Sequence, residues 1–330
     1  MHNERKKIVI AGGSGFIGEE LIRYFGREND ICILTRKLPN AANNKNHYYS
    51  LKEHETTRTR WIKWDGKAPG EWANELESAD LLINLAGKTV NCRYTEKNKA
   101  EILSSRIDPV NVLGKAIALC EHPPSCWINA SSATIYRDAR DRAQDEFNGE
   151  IRDDFSVRVC KEWERALYEQ QTPHTRRISL RMAVTLGAGG VMIPYFNLLK
   201  FGLGGRQGDG DQMYSWIHIL DTCRMIEWIF ENPTLEGNYN CSSPFPVTNA
   251  VFMKTLRKVT GYKNGLPAYE WMLKIGAAII GTETELVLKS RWVVPARILE
   301  TGFVFAYPFL EDAMREVISK VPRKQYKLFP

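Results

Sequence analysis

Three glycines spaced three residues apart, Gly12, Gly15 and Gly18, most constrain the fold. An apolar run at 7–11 precedes them and an amphipathic pattern at 16–25 follows, which places them at a strand-to-helix turn. There, Gly12 permits the tight turn, Gly15 lets the backbone approach a pyrophosphate, and Gly18 lets the helix pack on the strand. A turn without a ligand is the alternative. We predict a dinucleotide-binding turn formed by Gly12, Gly13, Ser14, Gly15, Phe16, Ile17 and Gly18.

Short apolar runs alternate with helical patterns over the first half of the chain, which predicts an α/β fold with a doubly wound parallel sheet of the Rossmann type. We place this domain at 1–186 and a smaller substrate domain at 187–330, with 221–245 packing back onto the first. The Asn/Thr-rich segment at 38–59 reads as a loop. The predicted strands after the first are 31–34, 61–64, 81–84, 126–129 and 177–182; the predicted helices are 16–25, 72–77, 96–119, 155–170, 192–201, 221–231, 249–260, 268–280 and 310–319.

Composition narrows the classes of partner and compartment. The 45 Lys and Arg residues against 39 Asp and Glu give a net charge of +6, and the basic residues are too scattered for a nucleic-acid surface. Seven cysteines occur without CxxC pairs, so we expect free thiols and no metal site. No apolar run approaches the ~20 residues of a membrane span, and the N-terminus lacks a signal-peptide core. We expect a cytoplasmic protein.

The end of the second strand indicates the form of the cofactor. An acidic residue ~20 positions after the glycines is typical of NAD, because it binds the ribose 2′-hydroxyl. This chain has Thr35, Arg36 and Lys37 there, and an arginine can pair with a 2′-phosphate. We therefore predict NADP(H) in preference to NAD(H), with an exposed basic turn as the alternative. Asp65, after the third strand, is either an adenine contact or a turn former.

Three segments together resemble an atypical extended short-chain dehydrogenase/reductase: Gly12–Gly18, Asn84-Leu85-Ala86-Gly87, and Ser131 to Tyr136. More closely, the chain is similar to the NAD(P)-dependent epimerase/dehydratase-like branch known as epimerase family proteins, also labelled cell-division-inhibitor-like. Motifs typical of that branch include Cys160-x-x-Trp163-Glu164 and Trp216-Ile217-His218. The resemblance implies cofactor contacts at Leu85, Ala86, Gly87 and Ser131, and a catalytic serine at Ser132. Local backbone bonding by Ser132 is the alternative.

The catalytic tyrosine and lysine of the resembled superfamily are missing. They occupy one face of a helix at i and i+4, where the lysine lowers the tyrosine pKa. Alignment on Glu164 puts Ser156 at the tyrosine position and Cys160 at the lysine position. A YxxxK at Tyr48–Lys52 falls in the predicted loop, and we interpret it as chance. Tyr136 is the best remaining phenol, so we predict a catalytic role for it.

The second domain supplies candidate substrate residues. A glycine-rich loop carries Arg206, which we expect to face an anion, and an aromatic strand follows with Trp216 and His218. We predict substrate binding by Arg206 and Trp216, and acid/base chemistry by His218. A flexible hairpin and a hydrogen-bonded structural histidine are the alternatives.

Two functions fit these residues. The first is an NADP(H)-dependent oxidoreductase or epimerase acting on a small carbonyl or sugar-nucleotide-like substrate that the sequence does not identify. The second is a catalytically weak or inactive dinucleotide-binding regulatory protein, favoured by the missing tyrosine and lysine. The resemblance also places helices 96–119 and 155–170 at a homodimer interface, but their charged faces leave a monomer open.

Overall fold

A parallel sheet of seven strands forms the centre of the structure, a computed structural model that describes residues 5–39, 58–281 and 283–327. The strands of these residues are β1 (Lys7–Ala11), β2 (Asp30–Thr35), β3 (Thr59–Lys63), β4 (Leu81–Asn84), β5 (Cys126–Ser132), β6 (Arg176–Met182), β7 (Val184–Leu186), β8 (Met213–Tyr214), β9 (Trp216–His218), β10 (Gly237–Cys241) and β11 (Val247–Thr248). The sheet order is β10-β6-β5-β4-β1-β2-β3, so the winding direction reverses between β1 and β4. Ligands of doubly wound folds bind outside the carboxyl ends of the strands at such a reversal.

The helices of the described residues connect these strands and build the C-terminal part. They are α1 (Phe16–Phe25), α2 (Glu96–Ile117), α3 (Phe155–Tyr168), α4 (Met192–Lys200), α5 (Ile219–Glu231), α6 (Asn249–Thr260), α7 (Glu270–Ile280), α8 (Glu285–Leu288), α9 (Ala296–Glu300) and α10 (Leu310–Ser319), with 3-10 turns at Glu71–Leu76, Ala133–Ile135 and Arg323–Gln325.

Both faces of the sheet are covered by helices. Successive side chains of a strand point to opposite faces, so Ile8 and Ile10 enter a core with α1 and α5, whereas Val9 enters a core with α2 and α3. Such burial on both faces explains why the parallel strands are continuous apolar runs rather than alternating patterns.

The C-terminal part contributes to the same cores. Ile298, Phe303 and Phe305 lie in the α1/α5 cluster beneath the sheet. A further cluster joins α4, α6 and α10 through Phe196, Phe252 and Met314. The chain after β6 therefore both extends the sheet through β10 and builds a separate helical layer.

The α/β fold with a doubly wound parallel sheet is confirmed, because all seven central strands pair in parallel. The predicted helix at 72–77 is instead a 3-10 helix at Glu71–Leu76. Most of the predicted loop at 38–59, including Tyr48 and Lys52, lies outside the described residues; Thr59 already belongs to β3.

Candidate functional site

The glycine-rich turn holds β1, β4 and α1 in close contact. Gly12 has a φ of +74°, and a Cβ there would lie 2.8 Å from the backbone nitrogen of Ala86. A Cβ on Gly18 would lie 2.2 Å from the carbonyl oxygen of Gly13. Both positions exclude larger residues because backbone occupies the space, so the turn requires glycine at each.

Gly15 presents the start of α1 to open space. It is the N-cap residue, in extended conformation, and as a glycine it has no side chain to cap the first N–H groups of the helix. A Cβ at Gly15 would have no heavy atom within 4 Å among the described residues. The first N–H groups of a helix have no intrahelical acceptor and attract anions, so this end of α1 fits a phosphate.

A cleft of about 940 Å³ opens beside this turn, at the carboxyl ends of β1, β2 and β4. Its lining includes predicted cofactor residues from all three strand ends. They are Gly12, Ser14, Gly15, Thr35, Arg36, Lys37, Asp65, Leu85, Ala86 and Gly87. The remaining predicted members, Gly13, Phe16, Ile17, Gly18 and Ser131, do not line the cleft.

The end of the cleft next to β2 is basic. Arg36 and Lys37 are exposed there, and neither forms an ion pair with a carboxylate in the part of the chain that the structure describes. The Thr35 hydroxyl fixes the turn by donating to the carbonyl oxygen of Lys37 at 3.1 Å. Two exposed cations at the edge of a cleft favour a negatively charged ligand group at this end.

Asp65 forms a turn at the edge of the cleft. Its Oδ1 accepts hydrogen bonds from the backbone nitrogens of Lys67, at 2.8 Å, and Ala68, at 3.0 Å. Both bonds lower the pKa of Asp65, and the bond from Ala68 has the larger effect. Asp65 therefore forms a turn, which was one of the two predictions, and it also lines the cleft.

Sequence reasoning missed the opposite wall of the cleft. Several of its residues come from α2, which follows β4 along the chain, and Trp64 comes from the end of β3. An aromatic residue beside Asp65 was a usable signal for Trp64. The additional lining residues are Trp64, Gly66, Lys67, Lys88, Glu101, Ser104, Ser105, Asp108 and Pro109.

The two serines at the end of β5 face different surroundings. Ser131 is buried and donates to Oε1 of Glu164 at 2.8 Å, so its hydroxyl belongs to a buried network. Glu164 also binds Arg181 through two nitrogens, each at 2.8 Å. Ser132 is half-buried and caps the following 3-10 turn, with its hydroxyl 3.0 Å from that of Thr134.

Tyr136 does not fit the catalytic role predicted for it. Its side chain is only 2% exposed, and it does not line the cleft. The hydroxyl donates to Asn240 Oδ1 at 3.0 Å and accepts from Arg181 Nη1 at 2.7 Å. Burial raises the pKa of Tyr136 to about 12, so this phenol is a structural member of the core network.

His218 is likewise fixed in the core. It is fully buried at the start of α5, where Nδ1 accepts from the backbone nitrogen of Leu220 at 3.2 Å. Nε2 must then carry the proton, and it lies 2.9 Å from Oε2 of Glu316. With both nitrogens engaged, the geometry favours the structural alternative over acid/base chemistry.

The two predicted substrate residues also lie apart from the cleft. Trp216 is fully buried, and its indole donates to the carbonyl oxygen of Phe245 at 3.2 Å. Arg206 is exposed and donates to the carbonyl oxygen of Asp209 at 2.5 Å, a bond within its own loop. Neither arrangement fits the predicted substrate contacts, because a core indole and a loop-internal guanidinium face no pocket with the cofactor residues.

Two features are absent from the described ranges. No helix there has both the length and the apolar content to cross a bilayer. No group of three or more His, Cys, Asp or Glu residues there could hold a metal ion.

Comparisons with known proteins agree with this geometry. The model of the NAD dependent epimerase/dehydratase family matches residues 8–242, and that of a domain of unknown function, DUF1731, matches 270–317. Epimerase family protein YfhF of Bacillus subtilis is 31% identical over an alignment of 319 residues that covers 94% of this chain and 98% of that protein.

Solved structures show the same likeness. The crystal structure of human epimerase family protein SDR39U1 (isoform2) with NADPH has a TM-score of 0.80 at 28% identity, covering 94% of this chain and 99% of that one. The structure of MoeE5 in complex with UDP-glucuronic acid and NAD aligns over 95% of this chain and 98% of that one, with a TM-score of 0.71 and 18% identity. A likeness at this level of identity shows the fold alone. The resemblance predicted from the motifs is confirmed, and the chain belongs to the NAD dependent epimerase/dehydratase family.

Proposed function

We propose that this protein binds NADPH in the cleft beside the glycine-rich turn, in preference to NADH. The observation that carries the proposal is the pair of exposed cations, Arg36 and Lys37, at the end of β2. A carboxylate there would bind a free ribose 2′-hydroxyl and repel a 2′-phosphate, whereas a guanidinium pairs with the phosphate. The human relative solved with NADPH supports the same assignment.

The residues of the cleft fit the remaining parts of the dinucleotide. The turn at Gly12–Gly15 and the start of α1 would hold the pyrophosphate, because the first N–H groups of a helix have no intrahelical acceptor. Trp64 and Asp65 line the end where adenine would lie, next to Arg36. Leu85, Ala86 and Gly87 would line the path toward the nicotinamide.

We further propose an oxidoreductase or epimerase that acts on a small carbonyl or sugar-nucleotide-like substrate. Bound NADPH supplies the hydride chemistry, so the chain itself has to orient a substrate oxygen and exchange its proton. Ser132 is our candidate for orienting that oxygen, since its half-buried hydroxyl lies at the carboxyl end of β5.

A second candidate function is a dinucleotide-binding regulatory protein with weak or no turnover. It is favoured by Tyr136 and His218, whose polar atoms are bonded inside the core. Ser156 and Cys160, at the aligned positions of the tyrosine and lysine, cannot replace those groups directly. Single-turnover oxidation of bound NADPH by a panel of aldehydes, ketones and nucleotide sugars separates the two candidates, because a regulatory binder leaves NADPH unchanged.

Replacing Arg36 by aspartate tests the cofactor assignment. We expect Arg36→Asp to weaken NADPH binding by about 10–100-fold, because charge-assisted hydrogen bonds contribute roughly 1.5–3 kcal/mol. NADH binding should be unchanged or stronger, as measured by calorimetry. Arg27→Asp is the matched control, since Arg27 is exposed just beyond the opposite end of α1. Equal affinity of the unmodified protein for both nucleotides would contradict the assignment.

A further inference from the structure

Arg291, in the C-terminal part of the chain, is held by its backbone against β8 and the residue that follows β8. Its N–H donates to the carbonyl oxygen of Met213 at 2.8 Å, and its carbonyl oxygen accepts from the Ser215 hydroxyl at 2.7 Å. Arg291 also forms an isolated β-bridge with Tyr214. These bonds fix the point from which the half-buried Arg291 side chain starts.

The Arg291 side chain reaches the turn that follows β5. Its Nε donates to the hydroxyl oxygen of Thr134 at 3.3 Å, a contact between residues 157 positions apart. A guanidinium stays charged in proteins, and it can only donate hydrogen bonds. Thr134 therefore acts as the acceptor toward Arg291, and a positive charge lies next to its hydroxyl.

Thr134 connects Arg291 to Ser132. The Ser132 hydroxyl donates to Thr134 Oγ1 at 3.0 Å, and the backbone N–H of Thr134 donates to Ser132 Oγ at 3.2 Å. Each hydroxyl has one proton and two acceptor positions. Rotation of the two hydroxyl protons therefore lets Thr134 donate to Ser132 and Ser132 donate outward, while the bond from Arg291 to Thr134 is kept.

Ser132 is the residue that we propose to orient the substrate oxygen. It ends β5, and the neighbouring strand β4 is followed by Leu85, Ala86 and Gly87 of the cleft. A hydrogen-bond donor at the substrate oxygen matters most when that oxygen gains negative charge, and a cation behind the donor adds to the effect. The superfamily lysine cannot supply that cation here, because burial raises the pKa of the Cys160 thiol at its position to about 12 and keeps it neutral.

We infer that Arg291 is a positioning residue, which polarises the Ser132 hydroxyl through Thr134 and supports it as a donor toward the substrate oxygen. The inference rests on the proposed function, since it takes Ser132 as the residue that contacts the substrate. It assigns the C-terminal part, where the DUF1731 model matches 270–317, a role in the chemistry at the end of β5.

The charge of Arg291 also acts on groups around this contact. Burial raises the pKa of Asp154, but Lys289 and, more weakly, Arg291 lower it overall. The titratable groups of this region other than Arg291 are Tyr94, Asp138, Asp154, Glu285 and Lys289. They stay in place in every variant described below, so a difference between variants reports the change at Arg291 or Thr134.

The substitution Ser132→Cys places a titratable thiol where the serine oxygen lies. The pH dependence of its alkylation by iodoacetamide gives the thiol pKa in the full chain, and mass spectrometry of the modified peptide separates it from the seven native cysteines. In this background Arg291→Met should raise the thiol pKa by about one unit, a roughly tenfold loss of thiolate at a given pH, because a nearby opposite charge favours the thiolate. Arg291→Lys should restore most of the shift, and Arg27→Met should have no effect.

Thr134→Val tests the same contact with Arg291 in place, and it decides the question if Arg291→Met does not fold. It should also raise the thiol pKa, because the thiolate loses a hydroxyl donor. An unchanged thiol pKa in a folded Arg291→Met or in Thr134→Val would overturn the inference.

Turnover gives a second measurement with Ser132 in place. On a carbonyl that the substrate panel identifies, Arg291→Met should lower kcat about tenfold or more and leave NADPH affinity unchanged, with recovery in Arg291→Lys. An unchanged kcat would contradict the positioning role. If the unmodified protein turns over no member of the panel, the proposed function fails, while the thiol titration in the ligand-free protein still decides whether Arg291 polarises position 132.

Discussion

At the scale of single residues, glycines of the turn have separable roles. The Cβ of an alanine at Gly18 would collide with the backbone of Gly13, whereas at Gly15 it would project into open space. A structural requirement and the ligand requirement that we propose therefore occur three residues apart in one motif.

This separation predicts opposite results for two alanine substitutions. Gly18→Ala should destabilise the fold by about 1–3 kcal/mol or more, because overpacking against backbone cannot relax by a rotamer change. Gly15→Ala should change the free energy of unfolding by less than about 1 kcal/mol, yet weaken NADPH binding at least tenfold because its methyl group faces the pyrophosphate position. Urea denaturation and calorimetry measure the two effects. Retained NADPH affinity in Gly15→Ala would contradict the placement of the pyrophosphate.

At the scale of elements, a partly buried polar contact joins α10 to the start of α5. Glu316 of α10 accepts from Nε2 of His218, and its other oxygen pairs with Lys320. Burial raises the pKa of Glu316, but the hydrogen bonds from His218 and Lys320 outweigh it, so the pKa is lowered. The contact thus depends on an ionised carboxylate.

Acid should weaken this contact. Because the folded-state pKa of Glu316 is below the unfolded value of ~4.3, its contribution to stability is complete above that value and disappears as pH falls through the folded-state pKa. Between pH 6 and 3 the free energy of unfolding should therefore fall more steeply in the parent than in Glu316→Gln. Glu300→Gln, at an exposed site ending α9, should follow the parent. Identical slopes for the parent and Glu316→Gln would disprove the coupling.

At the scale of the whole molecule, we propose a Rossmann domain at 1–186 and a second domain at 187–330 that remain energetically coupled. The β10 strand belongs to the main sheet, and Phe303 and Phe305 pack in the core beneath it. Separate melting of the C-terminal part would expose this core, so we expect one cooperative unfolding transition.

Phe303→Ala tests this coupling. Phe303 is 5% exposed, and truncation of a buried phenylalanine costs about 3–5 kcal/mol. The whole calorimetric transition should move to lower temperature as one peak. The neighbouring Val304 is 71% exposed, so Val304→Ala should change stability by no more than about 0.5 kcal/mol. Two resolved transitions, with only one shifted, would show that the parts unfold independently.

The sequence by itself determined the glycine turn, most helices and strands, and the basic end of β2. These features depend on residues near one another in the chain: glycine spacing, apolar periodicity, and two cations directly after a strand. The placement of Ser156 and Cys160 at the tyrosine and lysine positions came instead from the family resemblance, aligned on Glu164.

Only the tertiary structure decided which of the candidate side chains face the cleft. Tyr136 bonds to Asn240, 104 positions away, and His218 bonds to Glu316, 98 positions away, so their burial has no local signature. The wall formed by α2 likewise depends on how distant elements pack. Burial is a property of the assembled core, and a short stretch of sequence specifies its own conformation better than it specifies what will cover it.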